Sequence, residues 1–110
     1  MLERYPDGEG WMADDRADVR VENNEAENQF ETTLDGHRGV LTYTVKHGKL
    51  YLLHTGVDDA LEGQGVGSAL VRAAAEHARE KGLRVVPFCS FAQGWLERHP
   101  EYADLVAGPD

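Results

Sequence analysis

The sequence predicts a small α+β domain built on a mixed, mainly antiparallel sheet, with the element order β-β-β-β-α-β-α. Three observations carry this expectation. Residues 18–57 fall into short runs rich in β-branched and aromatic side chains, each closed by Asn, Asp or Gly. Residues 65–81 then place apolar side chains at helical spacing. A short apolar run, residues 83–88, separates that helix from a second one.

The first 18 residues mix charge, Gly and Pro without periodicity, so they read as an acidic tail ahead of a single domain over residues 19–110, with Tyr5, Trp11 and Met12 as local anchors. Four strands follow, in "DVRVENN", "NQFETTLDG", "GVLTYTVKHG" and "KLYLLHTGV". Asp35-Gly36 and His47-Gly48 supply the positive φ angles of tight hairpin turns, which makes the strands an antiparallel meander. The last of them, Lys49–Val57, carries Leu50 and Leu52 on one face and Tyr51, Leu53 and Val57 on the other, so it is expected to be central and covered on both sides.

The helix over residues 65–81 turns Val66, Leu70, Ala73, Ala74 and Ala78 inward, and Arg72, Glu76, Arg79 and Glu80 to the opposite side. Gly82 stands where a left-handed cap ends a helix, and the many alanines let the helix lie close to the sheet. The run "LRVVPF" reads as a buried strand, parallel to the strand before the helix because a helix crossover joins them. A last helix spans about residues 91–99 and is stopped by Pro100.

Composition narrows the functions. With 110 residues and 41% hydrophobic content the chain can bury one core, which excludes a two-domain enzyme. Eleven basic against 20 acidic residues give a net charge of -9, which argues against nucleic acid or an anionic membrane as partner. Residues 1–31 alone hold ten acids against three arginines, so the acidity sits mostly at one end. Such a tail is either a solvated segment or an attractor for a cationic substrate. No run approaches the roughly 20 apolar residues of a membrane span, and the first residues lack the pattern of a signal peptide. The single cysteine, Cys89, agrees with a reducing compartment, and a cytoplasmic protein is expected. The five histidines and one cysteine show no metal-ligand spacing, so no metal is expected. Oligomeric state, monomer or weak homodimer, is left open.

The stretch "EGQGVGSALVRAAAEHAREKG" places Gly63, Gly65 and Gly67 directly before the long helix. A helix start has unpaired N–H groups and partial positive charge, which suit an anion. Glycines remove the Cβ atoms that would hold a phosphate away, and Ser68 offers a hydroxyl besides. A plain loop with glycines for close packing is the alternative. There is no Gly-Lys-Ser/Thr ending, so this is not a P-loop, and the Gly spacing differs from the dinucleotide fingerprint.

At this point a resemblance enters. The segment from Glu62 to Phe88 resembles the acetyl-CoA-binding segment of the GCN5-related N-acetyltransferases, whose Gln/Arg-x-x-Gly-x-Gly/Ala pattern falls on Glu62, Gly65 and Gly67. "PFCSF" (87–91) and "RHPEY" (98–102) are similar to elements of the small single-domain branch of that superfamily, and the resemblance covers roughly residues 19–106. It implies a minimal fold of that family, in which the strand before the glycine turn and the strand after the helix start parallel and then splay around the pantetheine arm. It implies acetyl-CoA as donor and a primary amine, either a small amine or a lysine side chain, as acceptor. The donor would meet Thr55 and Val57 at the strand end, Gly63, Gln64, Gly65, Val66, Gly67 and Ser68 at the turn, and Ser90 and Phe91 beyond the second strand. Two positions depart from the pattern: Glu62 replaces Gln or Arg, and Gly56 stands where the small branch commonly has an acidic residue.

Transfer of an acetyl group to an amine needs a base, a donor to the developing oxyanion and a proton for the leaving thiolate. Backbone N–H groups near Val57 suit the oxyanion. His54 is the candidate base because imidazole changes charge near neutral pH; the alternative is a hydrogen-bonded histidine on a buried strand. Cys89, at the start of the last helix, is the second candidate, as a nucleophile that takes the acetyl group or as an acid, against a plain core cysteine. His99 to Tyr102 read as a helix stop held by polar contacts, Trp95 and Leu96 as packing of the last helix on the sheet, His37 and His47 as solvated turn residues, and Arg72 with Glu76 as a surface pair. A non-catalytic module that binds CoA or an acyl-CoA, and a protein-interaction domain without the cofactor, are the two rival functions.

Overall fold

The structure, a computed structural model, describes residues 19–109. The expected acidic tail over residues 1–18 lies outside the described residues. Strands β1 (Glu22–Asn24), β2 (Gln29–Leu34), β3 (His37–Lys46) and β4 (Lys49–Val57) form an antiparallel meander, followed by helix α1 (Val66–Lys81), strand β5 (Arg84–Pro87) and helix α2 (Ser90–Glu97). The sheet order is β1-β2-β3-β4-β5, and only the β4–β5 pair is parallel. This is the predicted order of elements.

Both predicted hairpins are present as two-residue turns. Asp35 and Gly36 have φ of 54° and 80°, His47 and Gly48 have 53° and 77°. Two successive left-handed residues match the right-handed twist of the strands they join.

One face of the sheet carries the core. Leu41, Leu50, Leu52, Leu70, Ala74, Ala78, Val85 and Trp95 are fully buried in one cluster. Along α1 the apolar stripe is as expected except at Ala73, which is only partly buried, while Val71 and Ala75 join the core. The close approach of helix to sheet rests on Gly39 of β3, where an added Cβ would come within 2.8 Å of Val66 Cγ1. Helix α1 ends as predicted. Gly82 is left-handed with φ 70°, and Leu83 N–H bonds back to Ala78 O at 2.8 Å.

Two expectations need correction. Thr42 pairs with His54 but Tyr43 pairs with Leu52, so Leu53 is an unpaired extra residue, a β-bulge in β4. The bulge resets the alternation of faces. Val57, expected on the face of Tyr51 and Leu53, instead packs against the α1-side core with Leu50 and Leu52. The far face is also less covered than expected. Tyr51 and Val86 are buried there, but Leu53 is 43% and Phe88 52% exposed.

The chain after α2 does more than stop. Pro100–Leu105 form a 3₁₀ segment, after which Val106 makes a parallel bridge to Val85 along the outer edge of β5. Ala107 N–H bonds to Val85 O, and Arg84 reaches the carbonyls of Leu105 and Val106. A free strand edge is thereby shortened.

Candidate active site

Strands β4 and β5 pair from Lys49–Arg84 to Leu52–Pro87 and then part. At the parting point Leu52 O accepts from both Phe88 N–H, at 2.9 Å, and Cys89 N–H, at 3.2 Å. From Leu53 onward β4 has β3 on one side and an opening on the other, so its backbone edge faces that opening. The bulge at Leu53 lies at the same place. The splay that the resemblance implied is therefore a property of this chain's own register.

On the α1 side of the opening lies a cavity of about 520 Å³, lined among others by Thr55, Val57, Gly63, Gly65, Gly67 and Phe91. Its floor is the start of α1. Gly63 and Gly65 are left-handed, with φ of 79° and 80°, a conformation that strains any other residue except Asn or Asp. The first intrahelical bond runs from Ala69 N–H to Gly65 O, so the amides of Val66, Gly67 and Ser68 precede it. No acidic residue stands in the first turn of α1, and open space lies where a Cβ on Gly63 would project. This end of the helix is thus built to accept negative charge.

The three glycines do different work. Gly63 and Gly65 bend the chain. Gly67 admits an aromatic ring: a Cβ there would lie 2.8 Å from Cζ of Phe91. Phe91, 41% exposed, forms one wall of the cavity.

Eight of the ten residues expected to meet the donor line this cavity: Thr55, Val57, Gly63, Gly65, Val66, Gly67, Ser68 and Phe91. Gln64 and Ser90 do not. The Gln64 N–H donates to Leu61 O and its side-chain amide to Ala60 O, bonds that hold the turn. Ser90 is exposed on the first turn of α2. The Ser68 Oγ is buried and accepts the indole N–H of Trp95 at 2.6 Å in the contact between α1 and α2. Glu62, the departing position of the motif, also lines the cavity, and Leu61 and Arg98 line it without having been expected there. Arg98 was legible only as part of "RHPEY"; its reach from the end of α2 back to the start of α1 depends on tertiary packing.

Cys89 sits at the N-cap of α2, partly buried. Its Sγ lies 3.1 Å from Thr55 Oγ1, across the opening from β5 to β4. Burial pushes the thiol up, but the Thr55 hydroxyl and the backbone amides of Ala92, Phe91 and Thr55 outweigh it, and the net shift is below the usual thiol value. No cap hydrogen bond of ordinary geometry is formed, so the amides of Phe91 and Ala92 act on the sulfur as nearby dipoles rather than as bonded donors.

His54 is placed differently. Leu41, paired with Thr55, belongs to the core, so Thr55 faces α1 and the adjacent His54 faces the other side of the sheet. It is exposed and does not line the cavity. An added Cβ on Gly56 would lie 3.4 Å from its Nε2, an ordinary contact.

The residues read as structural are so placed. His99 stacks on Trp95 with centroids 3.7 Å apart and bonds through Nδ1 to Trp95 O. Tyr102 gives its hydroxyl to Glu76 and receives Arg72, so these two charges meet through Tyr102. Trp95 packs onto α1, bonding to Ser68 and lying beneath Arg72. Among the described residues no three His, Cys, Asp or Glu side chains gather as a metal site, and no helix is long and apolar enough to cross a membrane.

A mixed sheet that splays beside an amide-lined helix start is the architecture of an acetyltransferase, and two comparisons agree. The profile described as GCN5-related N-acetyl-transferase matches residues 29–105. An NMR solution structure of a GCN5-like candidate N-acetyltransferase from Staphylococcus aureus is similar at 35% identity and a TM-score of 0.63, over 86% of this chain and 94% of that one. The chain belongs to the GCN5-related N-acetyltransferase family.

Proposed function

We propose that the protein transfers an acetyl group from acetyl-CoA to a primary amine, a small amine or a lysine side chain, with Cys89 carrying the group between them. The observation that supports this best is continuity. One cavity runs from the amides at the start of α1 to Thr55, whose hydroxyl touches the Cys89 thiol.

The residues present fit coenzyme A. The N–H groups of Val66, Gly67 and Ser68, with Arg98 on the same cavity, suit its diphosphate, and the open edge of β4 beyond Leu52 suits the amides of its pantetheine arm. When bound, acetyl-CoA supplies an activated thioester. The protein's part is to hold the Cys89 sulfur at the cavity wall, where the Thr55 hydroxyl and nearby backbone groups, against burial, bring the thiol below its ordinary value. In the first half-reaction Sγ, having lost its proton to solvent, would bond to the acetyl carbon and the CoA sulfur would leave as thiolate. In the second, a neutral amine bonds to the same carbon, Cys89 leaves as thiolate, and the amine gives up one proton. His54, on the face opposite the cavity, is the base for that proton if the amine approaches from that face.

The test is intact mass after incubation with acetyl-CoA and no amine. One added acetyl group, absent in Cys89→Ala and discharged by primary amines, supports the reading. If Cys89→Ala keeps full turnover on amines, transfer is direct and the covalent step fails. Binding of CoA with no turnover on any amine would favour a non-catalytic carrier. Loss of a nucleophile or acid–base group is expected to lower turnover by about 10²–10⁴-fold.

A further inference from the structure

The thiol and the cavity are joined by one side chain. Thr55 lies at the free end of β4, past the bulge, with its side chain on the α1 face and on the cavity wall. Cys89 lies on the other arm of the splay, two residues past the end of β5 and at the N-cap of α2. The two arms share no ladder pair here, since the last is Leu52–Pro87. The 3.1 Å contact between Thr55 Oγ1 and Cys89 Sγ is therefore a side-chain link just beyond the last main-chain bond between the arms, Cys89 N–H to Leu52 O.

A cysteine side chain has one rotatable bond to its sulfur, so a single partner at hydrogen-bond distance selects where the sulfur stands. The groups acting most on this sulfur are the Thr55 side chain and the backbones of Phe91, Ala92 and Thr55, all uncharged. The backbone groups persist whatever residue occupies position 55. Only the hydroxyl depends on its being Thr or Ser.

We propose that Thr55 is a positioning residue for Cys89: its hydroxyl holds the sulfur at the cavity wall across the splay and donates to it once the proton has left. This rests on the reading of Cys89 as the acetyl carrier, and it assigns Thr55 a part distinct from contact with the donor. Valine at this position keeps the shape and removes the donor; serine keeps the donor and removes a methyl group.

The experiment is the pH profile of Cys89 alkylation by iodoacetamide, followed by intact mass on the full chain without any acetyl donor. Cys89 is the only cysteine, so the modified mass reports it alone. Thr55→Val is expected to move the profile to higher pH and slow alkylation at neutral pH by about two- to tenfold, the size of one uncharged hydrogen bond, while Thr55→Ser returns it toward wild type. An unchanged profile in Thr55→Val, with thermal unfolding unchanged, overturns the proposal. So does a Thr55→Ser profile as displaced as that of Thr55→Val, which would assign the effect to packing. Because no donor is used, a shift in alkylation without any acetyl-Cys89 in the earlier assay would leave Thr55 as the thiol's partner and remove only the carrier role.

Discussion

The indole N–H of Trp95 bonds to the hydroxyl of Ser68 at 2.6 Å, and both side chains are shut off from solvent. This contact ties α2 to the first turn of α1, the element that floors the cavity. Removing one partner leaves a buried polar group unsatisfied, at a cost of about 1–3 kcal/mol. Ser68→Ala is therefore expected to lower the unfolding free energy by that amount in denaturant titration. Coenzyme A affinity, measured by calorimetry well below the unfolding transition, is expected to stay within about twofold, because the hydroxyl is buried at the contact between α1 and α2.

Glu62 lines the cavity in a position where the family pattern has Gln or Arg. Residue 62 is exposed, and its carboxylate would share the site with the charge of a bound diphosphate. Like charges near a protein surface repel by about 1 kcal/mol at solvent-like screening. Glu62→Gln is expected to tighten coenzyme A binding several-fold at low salt, and the gain is expected to shrink as ionic strength rises. Equal affinities of the two proteins at low salt would mean that the carboxylate points away from the ligand.

Gly67 and Phe91 form a matched pair, since a Cβ on residue 67 would meet the ring at 2.8 Å. The ring is partly exposed and free to swing outward, while Gly→Ala inside a helix is itself favourable by up to about 1 kcal/mol. Gly67→Ala is thus expected to leave the melting temperature nearly unchanged and to weaken coenzyme A binding by about two- to tenfold, the range of one aromatic contact. Phe91→Ala is expected to weaken it similarly. Combining the two is expected to add little, and full additivity in calorimetry would argue that they act separately.

Tyr102 couples the 3₁₀ segment to α1. Burial, with the hydrogen bond it gives Glu76, pushes its hydroxyl up to about 12. A raised native value means that the neutral form is favoured by folding. That contribution is complete below about 10, the ordinary tyrosine value, and is lost as pH rises through 12. Ultraviolet titration is expected to show a tyrosine step near pH 12 that is missing in Tyr102→Phe, and the stability difference between the two proteins is expected to narrow across the same window.

Most of the scaffold was readable because each local choice of residue agrees with the whole. Asp35-Gly36 and His47-Gly48 fix two turns, the spacing of Val66, Leu70, Ala74 and Ala78 fixes the helix face, and Gly82 fixes its end. What escaped depends on register or on distant partners. A bulge leaves no residue signature, so Leu53 read as ordinary alternation and Val57 was put on the wrong face. The Gln64 amide carries the right chemistry for an anion, yet Leu61 O accepts it within the turn, and the Ser68 oxygen accepts from Trp95, a partner 27 residues away. Arg98 comes to the cavity through the packing of α2 on α1, which no spacing encodes. Cys89 and Thr55 were both singled out, but their contact across the splay is a property of three-dimensional register alone.

The most direct test of the account is a two-dimensional amide NMR titration of the full chain with coenzyme A. The largest shifts are expected at the amides of Gly63 and of residues 65–68, with smaller ones at Thr55, Val57 and Phe91 on the cavity wall. Absence of any shift at the start of α1, or shifts confined to the opposite face around Leu53 and Phe88, would contradict it.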